Sequence, residues 1–160
     1  TPSPNPDLGS DLSLCEGDSV LLSVSDSNST YLWQDNSTDS SLMVSKTGVY
    51  WVKLTNSCVS VSDSITVLFN PVPVVNLGND TTICGNETLN LNASTNNGVY
   101  LWQDNSTSPS YTVLESGVYS VKVTALGCVG TDEIEVTVGE KINVDLILNE
   151  DKKSGLISFG

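Results

Sequence analysis

The sequence predicts an all-β protein built as two small antiparallel sandwiches in tandem, and three observations carry that prediction. The stretch YLWQDNST at residues 31–38 recurs letter for letter at 100–107. Short segments with an apolar pattern of period two alternate with clusters of Asn, Asp, Ser and Gly. Four cysteines fall at repeat-related positions in a chain of 160 residues.

The repeat extends well beyond its longest identical stretch. The offset of 69 residues between Tyr31 and Tyr100 also carries Leu8 onto Leu77, Cys15 onto Cys84, Gly48 onto Gly117 and Asp63 onto Asp132. A fixed period of this kind marks a module copied in tandem. Only Cys58 and Cys128 lie 70 apart, TNSC having become TALGC, and the offset returns to 69 within five residues. A compensated slip of this sort belongs in a loop, because a one-residue shift inside a strand turns every following side chain to the wrong face.

Within each copy the strands follow from alternation. The first copy places Val20, Leu22 and Val24 on one face, then Tyr50, Val52 and Leu54, then Ile65, Val67 and Phe69. The second does so with Leu89, Leu91 and Ala93, with Tyr119, Val121 and Val123, and with Ile134, Val136 and Val138. These are half-buried strands, and no useful length has helical periodicity. About seven short strands per copy, with turns at regular intervals, argue for a sandwich of the immunoglobulin type. Trp33 and Trp102 then become central core residues of the third strand, and QDNST becomes the turn that leaves it. Leu32 and Leu101 point the other way, toward a second buried face or an interdomain contact. The Tyr of TGVY and SGVY enters the sixth strand, where its hydroxyl can bond back to the preceding turn.

The expected division is residues 1–70 for the first repeat, 71–138 for the second, and 139–160 for a C-terminal extension or the start of a further unit. Pro71 and Pro73 favour extended backbone in the connection, which should hold the domains end to end. In the last segment Ile142, Val144, Leu146 and Leu148 alternate before a polar turn and the run from Leu156 to Phe159, the pattern of a hairpin.

Roughly 70 residues is close to the lower limit for a self-sufficient apolar core, so each copy is expected to carry a covalent staple. Four cysteines allow three pairings. The duplication selects Cys15 with Cys58 and Cys84 with Cys128, which gives each copy the same internal bond and ties a loop beyond the sixth strand to the start of the second. Each bond should add about 4 kcal/mol by constraining the unfolded chain. It also implies an oxidising compartment.

Composition removes several function classes. Six lysines, no arginine and no histidine stand against 19 carboxylates, for a formal charge of −13. Phosphate contacts need a basic face, so nucleic acid is excluded as a partner, and an anionic membrane surface would repel the chain. No apolar run reaches the length of a membrane span, so no membrane insertion is expected, and no signal peptide opens the sequence, as for a mature protein or an excised fragment. Without histidine there is no ordinary triad, and four oxidised cysteines leave no thiol nucleophile, so no catalytic residue and no enzyme activity are expected. Asp35 and Asp104 sit at matching turn positions and read as turn formers rather than an acid pair.

Three further candidates remain. Asp11, Asp63, Asp80, Asp132 and Glu133 lie near strand ends and offer the hard oxygens that suit Ca²⁺, though without the spacing of a known calcium loop, so no cofactor is required. Trp51 alternates out of phase with Tyr50 and Val52 and should face solvent, where an indole can stack on a sugar ring; its counterpart is Ser120. Asn28, Asn36, Asn79, Asn86, Asn92 and Asn105 open N-glycosylation sequons, matches that a chain rich in Ser and Asn also produces by chance.

The elements LGND, TTIC, LNLNAS, YLWQDNST, SGVYSVKV and DEIEVTV, in that order, resemble the immunoglobulin-like and PKD-like repeats of large Bacteroidetes surface proteins, including those exported by type IX secretion and associated with gliding motility. The resemblance covers residues 8–69 and 77–138. It implies an extracellular, cell-surface spacer or adhesive stalk module. Its partners would be further repeats of the same parent protein, and surface glycans or another surface protein. Residues 139–160 lack the pattern of that group's sorting domain. The resemblance also implies O-glycosylation at Ser19, Ser64 and Thr81, which follow Asp18, Asp63 and Asp80 as in that group's Asp-Ser/Thr-apolar pattern.

Overall fold

The structure, a computed structural model, describes residues 2–140, so the hairpin expected from Ile142 to Phe159 lies outside the described residues. The first repeat contains β1 (Leu12–Cys15), β2 (Val20–Ser23), β3 (Thr30–Trp33), β4 (Ser41–Val44), β5 (Gly48–Thr55) and β6 (Ser60–Asn70). The second contains β7 (Thr81–Ile83), β8 (Leu89–Asn92), β9 (Val99–Trp102), β10 (Ser110–Val113), β11 (Gly117–Ala125) and β12 (Cys128–Val138). Each repeat thus has six strands where about seven were expected. One sheet runs β1-β6-β5-β3 and the other pairs β2 with β4; the second repeat copies this as β7-β12-β11-β9 and β8 with β10. The edge strands β1 and β7 join in parallel, and every other pairing is antiparallel.

Period-two alternation fixes which side chains enter each core. Trp33, Val52, Leu54, Ile65 and Val67 are buried together in the first repeat, and Trp102, Val121, Val123, Ile134 and Val136 in the second. An inward row on each sheet meets its partner about 10 Å away, so a large indole at the centre can bridge the two layers. Leu32 and Leu101 are exposed, so neither the second buried face nor the interdomain contact is realised.

The repeated YLWQDNST now has a reason at nearly every letter. The Tyr31 hydroxyl donates to Asp26 O (2.6 Å) and accepts from Asp26 N (2.9 Å), closing the loop that enters β3. The indole Nε1 of Trp33 donates to Asp39 O (2.9 Å), closing the loop that leaves it. Tyr100 and Trp102 do the same with Thr95 and Ser108. Asn36 and Asn105 sit at φ 69° and 67°, the left-handed region that Asn tolerates better than most residues. Asp35 Oδ1 accepts from both the backbone N and Oγ of Ser37, which holds the Asp35 carboxyl below the usual carboxylate range. Both tyrosine corners form as well: Tyr50 donates to Lys46 O (2.6 Å) and Tyr119 to Glu115 O (2.7 Å).

The LGxD motif stitches the start of each repeat to its last strand. Leu8 N donates to Asp63 Oδ2 (2.8 Å) while Thr66 N donates to Asp11 Oδ1 (2.8 Å). Leu77 N to Asp132 (2.7 Å) and Glu135 N to Asp80 (2.9 Å) reproduce the pair. Two carboxylates per repeat, one just before the first strand and one on the last, thereby satisfy backbone donors that the ladder leaves over.

Two expectations are corrected. The shift between Cys58 and Cys128 is not an inserted residue, because Thr55 pairs with Ser60 and Thr124 with Val129 across hairpins of equal length. The cysteine itself has moved by one position, from the turn in the first repeat to the first residue of β12 in the second. The disulfides also differ: Cys15 is bonded to Cys128, across the repeats, rather than to Cys58, and Cys84 is not bonded to Cys128. Geometry forbids the internal pairing. Cys15 pairs in register with Asn70 at the end of β6, whereas Cys58 lies in the turn before Ser60 where β6 begins. An 11-residue strand separates them, about 35 Å at the usual rise per residue, and Cα atoms more than about 7 Å apart cannot be bridged.

Candidate functional site

Among the described residues, the junction between the repeats combines a disulfide with a bridging side-chain amide. The tip of the β11–β12 hairpin, Leu126–Gly127, turns with φ 51° and 82° and abuts the end of the first repeat where β1 and β6 finish. There Cys15 and Cys128 join with Cα atoms 5.6 Å apart, and Cys128 is 1% exposed. Asn70, the buried polar residue among the described residues, donates from Nδ2 to Ser13 Oγ (2.8 Å) and to Leu126 O (3.4 Å), so its amide spans the joint. One residue into β12 from Val129, a Cβ on Gly130 would stand 1.9 Å from Pro73 O. The backbone of the connection therefore lies directly on the hairpin, and only glycine allows that approach. A short link containing Pro71 and Pro73, a disulfide and a bridging amide together remove most of the freedom of a hinge.

A second candidate lies on the outer face of the β6-β5-β3 sheet. Trp51 is 39% exposed, pairs with Ser64 on β6 and is held from the other side by Gln34, whose Oε1 accepts from Trp51 N (3.0 Å). Leu32, Lys53 and Ser62 share this outward face. The second repeat keeps the plan, with Gln103 Oε1 accepting from Ser120 N (3.1 Å), but has no indole. A shallow depression of about 400 Å³ stands there, lined by Leu101, Gln103, Ser120, Lys122, Thr131 and Glu133. An indole flanked by hydroxyls, an amide and an ammonium is a surface on which a sugar can stack and hydrogen-bond.

The calcium candidates are not brought together. Asp11, Asp63, Asp80 and Asp132 each accept a backbone N–H, and Glu133 lies on an exposed position of β12. Among the described residues no three acidic or cysteine side chains gather as a metal site. Asp35 and Asp104 stay in separate turns as formers of those turns. Of the glycosylation candidates, Ser19 and Ser64 are exposed and Thr81 is half-buried at the start of β7.

Sequence reasoning missed Asn70 and Gly130 altogether. Asn70 could have been noticed as a polar residue closing an apolar strand directly before two prolines. Gly130 stands in β12, two residues before DEIEVTV, where the first repeat has Val61 in the same ladder position. That substitution marks a close backbone approach in the second repeat alone.

No known protein family and no curated sequence matches the chain. Solved structures do. Extracellular domains 3–5 of Drosophila OTK superpose with a TM-score of 0.54 at 11% identity, over 81% of this chain and 59% of that one, so the chain spans less than two thirds of its length. The insect immune protein hemolin gives 0.47 at 12% identity over 83% and 46%, and an I-band fragment of titin 0.45 at 15% identity over 81% and 62%. Among the described residues no helix is long and apolar enough to cross a membrane. The chain is a tandem of two immunoglobulin-like antiparallel β-sandwiches.

Proposed function

We propose that the chain is a non-enzymatic, extracellular spacer segment, a stiff piece of stalk in a larger cell-surface protein of the Bacteroidetes repeat type. Its units are residues 1–70 and 71–138, and its immediate partners are further repeats of the same parent. The observation that carries this reading is the joint: a disulfide, an amide and a glycine–proline contact fix the second repeat onto the end of the first. A joint that fixes one closed sandwich onto the end of the next suits a stalk that must transmit length. The oxidised pair supports an extracellular site. The net charge of −13 supports solubility and lack of nucleic-acid or anionic-membrane binding.

The dimension follows from the strands. β6 and β12 each contain 11 residues, and β12 begins near where β6 ends. At about 3.3 Å per residue the two in series span about 70 Å. Small-angle scattering should give a maximum dimension of that order and a narrow cross-section; a compact particle with the sandwiches side by side would overturn the reading.

The exposed indole favours a second reading, a carbohydrate-binding surface formed by Trp51 with Lys53, Ser62 and Ser64. A glycan array that shows binding lost in Trp51→Ala would support it, and binding unchanged by that substitution would remove it. Glycosylation at Ser19, Ser64 or Thr81 belongs to the stalk reading, and an intact mass above that of the polypeptide, assigned to those residues by peptide mapping, would establish it.

A further inference from the structure

We propose that the bond between Cys15 and Cys128 gives the chain a further function, a covalent path that carries tension from one end of the segment to the other and leaves both apolar cores unloaded. The inference rests on the stalk reading and deepens it, from a segment that holds its shape to one that holds its length when pulled.

The path follows from where the bond sits in the strand order. β1 runs beside β6 and ends at Cys15, and β12 starts at Cys128. A pull on the two chain ends therefore draws on β1, then on the disulfide, then on β12. Residues 16–127 lie off this path as a closed loop, which contains β2 to β11 whole, with Trp33 and Trp102 of the two cores. A loop held at its neck cannot lengthen the chain. The Cα atoms of Cys15 and Cys128 are 5.6 Å apart, and a disulfide keeps them within a narrow range whether or not the loop between them is folded. Without the bond, the same residues drawn out would add about 400 Å, at about 3.6 Å for each residue.

The strands on the path yield little extension themselves. A β-strand already rises about 3.3 Å per residue, within about a tenth of the limit of a stretched chain, so β1 and β12 bear load with little sliding against their neighbours. β12 is also held on both sides, by β11 along Cys128–Val136 and by β7 along Val136–Val138. The stretch ahead of β1 can come away only when the bonds from Leu8 N to Asp63 and from Thr66 N to Asp11 break. Peeling then stops at Cys15.

A chain that lacks the bond takes the same pull by another route. Load passes from β1 to β6 only along Leu12–Cys15 facing Val67–Asn70, and goes on through Pro71 and Pro73 into β7 and across to β12. As β1 leaves β6, Leu12 and Leu14 leave the core they pack against, and the first repeat opens; Ile83 and β7 do the same to the second. The disulfide thus decides whether tension is met by a covalent strand path or by the two cores.

Force spectroscopy on the full chain, held by tags at its two ends in oxidising buffer, measures the path. One opened repeat of 69 residues would lengthen the chain by about 200 Å, its extended length less the roughly 35 Å it spans when folded. Wild type should show no step of that size, whereas Cys15→Ser should show two. Wild type reduced with dithiothreitol should also show two, which covers a variant that fails to fold. In that reaction one reagent thiolate attacks a sulfur of the bond and expels the other as a thiolate; the second reagent thiol then frees the first, so the cystine becomes two thiols and the reagent a cyclic disulfide. Repeat-sized steps in the oxidised wild type would overturn the proposal, as would their absence both in Cys15→Ser and after reduction. The stalk reading is judged separately: repeat-sized steps in a particle that scatters as elongated defeat the tension path alone, whereas a compact particle defeats the stalk.

Discussion

Replacing Cys15 by Ser separates the cross-repeat joint from any staple internal to a repeat. The bond between Cys15 and Cys128 closes a sequence separation of 113 residues. In the chain-entropy account, a loop of that size disfavours the unfolded state by about 5 kcal/mol. For a chain of this length that corresponds to a fall of about 15 °C in Tm. Cys15 is half-buried and its side chain is nearly the size of serine, so the substitution itself adds little. Calorimetry of the wild type, Cys15→Ser and Cys84→Ser gives the comparison directly. Cys15→Ser should lose most of that Tm and unfold in two resolved steps, because the repeats are no longer tied; Cys84→Ser should melt as the wild type does. If Cys84→Ser loses as much as Cys15→Ser, the second repeat has its own staple and the reasoning fails. No loss in Cys15→Ser would refute it equally.

Three other outcomes follow from particular contacts. Trp33→Ala and Trp102→Ala should each cost about 3 to 5 kcal/mol in urea titrations, since both indoles are buried and donate to loop carbonyls, whereas Trp51→Ala should cost under about 1 kcal/mol. Asp63→Ala and Asp132→Ala should each cost about 1 to 2 kcal/mol, because Leu8 N and Leu77 N lose a charged acceptor in half-buried surroundings. Gly130→Ala forces Pro73 away from the hairpin, so the rate at which dithiothreitol reduces Cys15–Cys128 should rise several-fold while the melting of the first repeat is unchanged.

Much of the fold could be read from the residues because alternation and repetition are local signals. Trp33, Tyr50 and Val52 declare their faces through their neighbours, and the structure buries or exposes them accordingly. The indole of Trp51 was legible as exposed for the same reason. The pairing of the cysteines was not, because symmetry between copies says which residues are equivalent but not which end of a sandwich each occupies. That needs the register of β1 against β6, which Asp11 and Asp63 help to set through bonds to backbone donors 55 residues away. The LGxD carboxylates looked like metal ligands for a related reason: an acidic residue near a strand end can hold a cation or cap an N–H, and only the partner strand decides. The glycine at 130 gave a signal in principle, but its meaning depends on where Pro73 passes.

The central claim is the covalent joint between repeats, and peptide mapping of the unreduced protein by mass spectrometry tests it most directly. Digestion after alkylation at low pH should release one disulfide-linked pair containing Cys15 and Cys128, with Cys84 recovered as an alkylated thiol. Recovery of Cys15 joined to Cys58, together with Cys84 joined to Cys128, would contradict the account.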